Sequence, residues 1–594
     1  MKKLILMIFA LLLLVSMGLT SAGQNPVPTL VPPTPIPRAD TGQGEILPTQ
    51  SAVARIQEAG VVRVGILFNE PPFGVLNVRG DLIGFDADLA RSMAEAWGVE
   101  MQPVQVTRDA QSAASMLARG DVDMLVARQI PHREQLSLME FSQTYYLGQK
   151  TLMVRSEDGQ PTSLGEIAGR SVGVVIATPA QQALVDWQVR SGITVNVQTF
   201  LTLDQAHQAL LTDEIDGVVD SDYRLQQVSS IQPELVRILD EPVELEPVAV
   251  AVQRQDASMR NLVNKTLQYL TFTGRINEIH DVYFPSQSYT PMYVWDNIGE
   301  EAPSPAEFPI ALTLPEQYVV GRFAGQPTLR VAGLIGVSAD SDAPESQRRL
   351  DLFHRELMQE MAARWGVTVE FVPDSQNNAV DLVAAGEADI ALGIAPDWSR
   401  ADDVDYTTHY LRHGYRLMIR ELDRVDIRGF GDITGETILI PTTEPNTAAY
   451  AVSIAEERNW TLDVIQQRED DLAFLLLGGD EEIEAEAAFA SSFKLLPLVQ
   501  NDPSQLVLTD QENGQPRWYS PPRTAAQDFS YEVMTFATPG NDIDFRLLVE
   551  ITLQEMARDG TLPLLLQQAM LAEEVPEFEI WPGPSTYLNF SLAR

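Results

Sequence analysis

The sequence predicts an α/β chain built from two tandem copies of one unit. Two observations carry this: a long string recurs at nearly constant offset, and each copy alternates between strand-like and helix-like apolar periods. Met93-Ala94-Glu95-Ala96-Trp97-Gly98-Val99 returns as Met361-Ala362-Ala363-Arg364-Trp365-Gly366-Val367, 268 residues later. Gly120-Asp121-Val122-Asp123 answers Gly386-Glu387-Ala388-Asp389 at 266, Arg133 answers Arg400 at 267, and Ile167-Ala168-Gly169-Arg170 answers Ile433-Thr434-Gly435-Glu436 at 266. A period this long is domain duplication rather than a solenoid. The copies are placed at 52–286 and 328–575, with a proline-bearing linker over 287–327 and a C-terminal tail over 576–594.

The elements of the first copy follow in order. Val62-Arg63-Val64-Gly65-Ile66 alternates as a strand does. Phe85, Leu89, Met93 and Trp97 recur every four residues, with Ala90 and Ala94 on the same stripe, which predicts a helix. Asp86 and Asp88 stand at its start, where carboxylates cap amides and meet the positive end of the dipole. A strand over 101–106, a helix over 110–119 closed by Gly120, and a strand over 124–127 complete a βαβαβ run. Such a run builds a mostly parallel sheet, and those sheets bind ligands at the carboxyl ends of their strands.

Composition narrows the class. The 594 residues suffice for three to five structural units, and 45% apolar with 21% charged residues is ordinary globular usage. Lys plus Arg number 41 against 83 Asp plus Glu, a formal charge of -42, which repels phosphate backbones and anionic headgroups and argues against nucleic-acid partners. There is no cysteine, so disulfides, thiolate metal sites, thiol catalysis and a lipidated N-terminal cysteine are excluded. Lys2 and Lys3, an apolar run from Leu4 to Val15 and small residues ending at Ala22 read as a signal peptide over 1–22. Residues 23–51 form a proline-rich leader. The chain is therefore expected outside the cytoplasmic membrane, periplasmic or extracellular, without membrane insertion after cleavage and tethered if the signal is retained.

The motifs point to a family. Pro71-Pro72-Phe73 and Gly84-Phe85-Asp86-Ala87-Asp88-Leu89-Ala90, then Gly120–Asp123, Pro131-His132-Arg133, Phe141–Gln149, Leu164–Val174 and Thr273-Gly274-Arg275-Ile276, resemble in order the family-3 extracellular solute-binding proteins. These are the periplasmic amino-acid receptors of ABC importers. The second copy is similar but worn: Gly393–Arg400 and Asp559-Gly560-Thr561-Leu562 fit, whereas Leu352, His354 and Glu356 stand where the first copy has Gly84, Asp86 and Asp88. The resemblance implies two tandem bilobal type II domains. In each, two mostly parallel α/β lobes are joined by crossing strands, near 147–152 and 246–252 in the first copy, and close on a ligand.

It also implies site residues. Arg133 falls where the family binds the ligand carboxylate, although the stretch from Arg133 to Phe141 is two residues longer than usual, and the neighbouring position falls at or near Arg128. Thr178 resembles the turn whose hydroxyl and amides meet the same carboxylate. The ammonium acceptor is expected at the end of 215–222, with Asp220 favoured over Asp222, and Phe68 and Phe73 as candidate apolar walls. In the second copy Arg400 and the turn Thr442-Thr443 are kept. Ala488 and Ala490 stand opposite the acids, unless a shift of register brings in Glu486. His409 and His413 read as surface residues, and neither a metal nor a cofactor is expected.

The function expected is capture of a small polar solute, an amino acid, in the first copy for delivery to an importer permease. The alternatives are a sensory or scavenging module of the same fold, and an enzyme resembling cyclohexadienyl dehydratase. The last needs a general acid poised in the cleft, and none stands out.

Overall fold

The computed structural model describes residues 50–310, 318–334, 343–373, 378–511, 514–524 and 527–580. The expected signal peptide and all but the end of the leader lie outside the described residues.

The first copy opens with α1 (Ala52–Ala59), β1 (Val61–Ile66), and a small sheet of β2 (Asn69–Glu70), β3 (Gly74–Leu76) and β4 (Leu82–Ile83). It continues with α2 (Phe85–Ala96), β5 (Glu100–Gln105), α3 (Ala110–Arg119) and β6 (Met124–Gln129). The long β7 (Met139–Arg155) crosses to a second lobe of β8 (Ser171–Val175), α4 (Pro179–Ser191), β9 (Asn196–Phe200), α5 (Leu203–Leu211), β10 (Gly217–Ser221), α6 (Asp222–Ser229) and β11 (Val236–Ile238). β12 (Glu244–Gln253) returns to the first lobe, which α7 (Ala257–Phe272) and α8 (Arg275–Tyr283) complete. One nine-stranded sheet runs through both lobes in the order β5-β1-β6-β12-β7-β10-β8-β9, with β11 against β7. β1 is parallel to β5 and β6, and β8 to β9 and β10, while β7 and β12 pair antiparallel from Lys150↔Glu244 to Met139↔Gln253. The crossing strands thus lie where expected and extend further into each lobe.

The second copy repeats the plan with α9 (Val319–Phe323), β13 (Thr328–Ala332), α10 (Glu345–Trp365), β14 (Thr368–Phe371), α11 (Ala379–Ala384), β15 (Ile390–Ile394), β16 (Val404–Tyr406), β17 (Leu411–His413) and β18 (Tyr415–Arg420). Its second lobe holds β19 (Thr437–Pro441), α12 (Pro445–Glu457), β20 (Asp463–Gln467), α13 (Leu472–Leu476), β21 (Ala487–Ser491), α14 (Ser492–Asn501) and β22 (Leu506–Leu508). β23 (Glu532–Pro539), α15 (Ile543–Arg558), α16 (Thr561–Met570) and β24 (Glu579–Ile580) follow. Here the sheet is split into seven- and five-stranded parts, because Gly414 separates β17 from β18. A Cβ on Gly414 would stand 2.6 Å from the Cβ of Trp518, so the backbone is pressed against that ring.

The duplication extends to individual bonds. Asp123 is buried under Arg55 and Arg63, and Asp389 under Arg322 and Arg330. The indole of Trp97 donates to Thr266 and that of Trp365 to Thr552. Asp256 accepts from the amide of Ala52 as Asp542 does from that of Val319, so α9, inside the proline-bearing stretch, docks as α1 does. One local difference is legible in sequence. Gly84 caps α2 at φ 135°, where a Cβ would lie 2.2 Å from the carbonyl oxygen of Phe73. Leu352 imposes no such break, and α10 runs on for 21 residues.

The copies share a core: Leu125, Ala127, Phe141 and Ala249 of the first pack in one cluster with Leu329, Phe353, Phe536 and Phe545 of the second. Equivalent charges meet across this contact. Arg260 and Arg546 each follow the helix-capping aspartate by four residues; Glu140 and Asp405 precede Phe141 and Tyr406. Arg260 donates to Glu140 at 2.6 Å and also pairs with Asp405, while Arg546 reaches Glu140 at 2.5 Å and Glu550 at 3.0 Å. All five side chains are at most 6% exposed. Removing one member leaves the others buried without their partner, a loss of about 3–5 kcal/mol. Glu140→Ala should therefore lower the denaturant-unfolding stability of the full chain by that amount; a loss below about 1 kcal/mol, the level of a surface pair, would show that the cluster does not hold the copies together.

Candidate functional site

Parallel β1 and β6 end on one side of the first copy's lobe boundary, and β8 and β10 on the other. The loop after β1 brings Phe73, fully buried, edge-on to Tyr146 at 5.3 Å and Tyr223 at 5.4 Å, with Phe284 at 5.5 Å. Tyr223, in α6 of the second lobe, also gives its hydroxyl to Glu70 of the first at 3.1 Å. The lobes therefore touch through Phe73, Glu70 and Tyr223.

Arg128 occupies the middle of this boundary. Its guanidinium lies 5.4 Å from the ring centre of Phe73 and 5.1 Å from that of Tyr223, pairs with Glu246 on β12 at 2.9 Å, and stands 3.5 Å from the hydroxyl of Ser221. Lys150 on β7 meets Glu246 at 3.1 Å and Glu244 as well. Burial alone would raise the Glu246 carboxyl, but Arg128 and Lys150 outweigh it and hold it at about 2. The backbone is as unusual as the side chain. Arg128 has φ 46°, left-handed for a residue with a Cβ, and its amide is held by Asp86 at 2.8 Å. Tyr145 donates to the other oxygen of Asp86 at 2.7 Å. The second copy has the same arrangement with different residues: Gly393 takes the left-handed turn, and His354 meets Tyr410 at 2.6 Å.

The acids expected on β10 are at the boundary. Asp220 and Asp222, 2% and 8% exposed, flank Ser221 at the strand's end. Asp220 accepts from its neighbour's amide and lies 3.4 Å from Arg224, but its Oδ2 is buried with no partner among the described residues. Asp222 accepts from the amide of Tyr223 at 2.6 Å, and burial pushes it up to about 6. Thr178, half-buried, precedes α4 at the end of the neighbouring β8 and donates to the carbonyl of Val175 at 2.7 Å. Phe68 is half-buried against the first lobe's core.

Arg133 is elsewhere. It begins the turn after β6, and its guanidinium pairs with Glu555 of the second copy at 3.0 Å. The two extra residues before Phe141 correspond to a shift in register: His132 caps this turn as Asp397 caps its counterpart, 265 residues on, so Arg133 and Arg400 do not hold equivalent places. Arg400 lies on the surface with Asp381 at 2.6 Å and Asp403 at 2.9 Å. Thr442 is exposed, and Thr443 accepts from Lys494 at 3.0 Å. Lys494 in turn meets Glu469, which takes a hydrogen bond from Ser346 across the second copy's lobes. Ala488 and Ala490 are core residues, and matching β10 with β21 sets Ala490, not Ala488, against Asp220 and Ser492, not Ala490, against Asp222. Glu486 precedes β21 and pairs with Arg420, at the opposite end of the strand from the boundary. His409 and His413 are half-buried rather than exposed: His409 packs on Tyr293 and His413, at the end of β17, on Phe493, and burial lowers both, His413 to about 3.

Glu246 and Tyr223 are thus the site residues that motif reading passed over, while Arg128, which it placed only near the position neighbouring Arg133, stands at the centre of the boundary. The signal for Arg128 was present, since a repeat aligned through Tyr145 and Tyr410 sets it against a glycine.

Asp86 makes the boundary pH-sensitive. Burial, opposed by the bonds from Tyr145 and Arg128, raises its carboxyl to about 7. An acid raised on folding favours the folded state below its unfolded value near 4, and the advantage is lost as pH rises through about 7. Asp86→Asn stays neutral throughout. Stability measured by denaturant should therefore shift in the variant's favour between pH 4 and 8, by up to about 4 kcal/mol. A pH-independent difference would place the Asp86 carboxyl near its ordinary value.

Comparison with known proteins follows the same division. The profile of the bacterial extracellular solute-binding proteins, family 3, matches residues 62–286 and 345–571. The L-arginine-binding protein of Pseudomonas aeruginosa is 22% identical over 238 residues, 38% of this chain and 89% of that protein. The L-cystine-binding protein of Escherichia coli is 22% identical over 232 residues, 39% and 85% of the two chains. The membrane-bound lytic murein transglycosylase F of Sodalis glossinidius is 26% identical over 214 residues, 35% of this chain but 44% of that enzyme.

Proposed function

Because this chain belongs to the bacterial extracellular solute-binding proteins, family 3, we propose that it is an exported receptor that captures an amino acid between the lobes of its first copy and hands it to an ABC importer. The observation that supports this most is the end of β10, where Asp220 keeps a buried oxygen without a partner beside the carboxylate of Asp222. An ammonium entering a dry cleft needs such an acceptor, because a buried charge left unpaired costs more than most contacts return. The relatives named for L-arginine and L-cystine binding support the same class of solute.

In this reading the amino group meets Asp220 and Asp222, and Phe73 and Tyr223 form the apolar wall. The carboxylate faces the N-terminus of α4 behind Thr178, where the helix dipole and first-turn amides favour an anion. Arg133, engaged with Glu555, has no part in it. The protein acts as a receptor rather than an enzyme. The second copy, with Ala490 where the first has Asp220 at the end of the matching strand, does not hold an amino acid.

Three measurements test the proposal. Titration calorimetry of residues 23–594 against the common amino acids should give one molecule bound per chain, and two would refute the asymmetry. Asp220→Asn should weaken that binding by more than about thirtyfold, as loss of a buried charged partner does. Unchanged affinity would remove Asp220 from the site. For export, the N-terminal sequence of the secreted product should begin near Gly23, and an intact Met1 would mean a retained anchor.

A further inference from the structure

The guanidinium of Arg128 is held as a bound cation would be. It lies between the rings of Phe73 and Tyr223 at 5.4 and 5.1 Å, meets the carboxylate of Glu246 at 2.9 Å, and leaves its Nε buried without a partner. Two rings and one carboxylate are a sufficient receptor for a guanidinium or ammonium group. Glu246 would keep one partner without it, since Lys150, which also pairs with Glu244, meets the same carboxylate at 3.1 Å.

The backbone supplies an independent argument. Arg128 sits at φ 46°, a conformation that is strained for an L-residue and that glycine adopts freely. At the matching turn of the second copy the chain does use glycine, Gly393 at φ 65°. The strand bulges at both places, with pairing slipped between Ala249 and Ala251 opposite β6 and between Ala391 and Ile394 in β15. The turn belongs to the fold, so the strained arginine is specific to the first copy. Strain retained where the fold accepts glycine marks a function.

From this geometry we infer that Arg128 is an occupant of the first copy's cleft supplied by the chain itself, filling a cation-binding cradle of Phe73, Tyr223 and Glu246. A solute with a cationic side chain enters that cradle only by displacing it. Arg128 therefore opposes the binding of such solutes instead of recognising a ligand carboxylate. The part that concerns solutes rests on the amino-acid reading above; the cradle does not.

The test uses the mature full chain carrying Arg128→Gly, which suits the left-handed turn and leaves Glu246 paired with Lys150. Methylguanidine at millimolar concentration is the first probe. The variant should gain a saturable rise in melting temperature that the wild type lacks, and adding Glu246→Gln should abolish it. The second probe is L-arginine by calorimetry, with affinity expected to rise at least tenfold in the variant. A folded variant that ignores methylguanidine overturns the proposal. So does one that binds L-arginine more weakly than the wild type, since Arg128 would then be a ligand-recognising group. If neither protein binds any amino acid but methylguanidine still stabilises the variant, the amino-acid reading falls and the cradle stands.

Discussion

The placement of the two copies against each other depends on the buried charge cluster between them. Arg260 and Arg546 share Glu140, Asp405 and Glu550 pair with one arginine each, and none of the five is exposed beyond 6%. Four of the positions are equivalent in the repeat, so the contact is nearly self-complementary, as between identical subunits of a twofold dimer. Ion pairs of this kind add little net stability compared with apolar substitutes, but they punish misalignment, because a shifted register leaves a buried charge unpaired. That fixes how β7 and α7 of the first copy meet β16 and α15 of the second, and hence which face of each lobe pair is left for a cleft.

The two clefts have diverged in opposite directions. The first kept a continuous sheet through its crossing strands and gathered charge at the boundary: Arg128, Lys150, Glu246, Asp220 and Asp222, with aromatic rings around them. The second has His354 where the first has Asp86, Gly393 where the first has a left-handed arginine, and small residues where β10 ends in acids. It ties its lobes together through Ser346, Glu469 and Lys494. A neutral imidazole against Tyr410 does what Asp86 does against Tyr145, without a titration near neutral pH.

Much of the fold was legible in the sequence. The repeat, the strand–helix alternation and the crossing strands follow from periodicity that burial enforces, and α2 lies where the Phe85-Leu89-Met93 stripe put it. The longer α10 was also readable, since Leu352 lacks the freedom that makes Gly84 a break. The candidate site was legible only in part. Asp220 and Asp222 could be found because they end a predicted strand, whereas Arg133 could not be followed, since a two-residue difference before Phe141 changes which side of the turn an arginine faces. The charged partners of the cleft, Glu246 and Lys150, sit on strands 94 or more residues from the groups they meet or across a sheet, and pattern along the chain does not report contacts across it. His409 and His413 were misjudged for the same reason: β17 is short and their cover comes from distant Tyr293 and Phe493.

The central claim is that the solute binds in the first copy's cleft, against Asp220 and Phe73, in the space that Arg128 now fills. The most direct measurement is a crystal structure of the mature chain grown with the amino acid that binds it. The account expects density between the lobes of the first copy, the amino group on Asp220, and the Arg128 side chain turned out of its place between Phe73 and Tyr223. Density in the second copy, or in the first with Arg128 unmoved and clasping the ligand carboxylate, would contradict it.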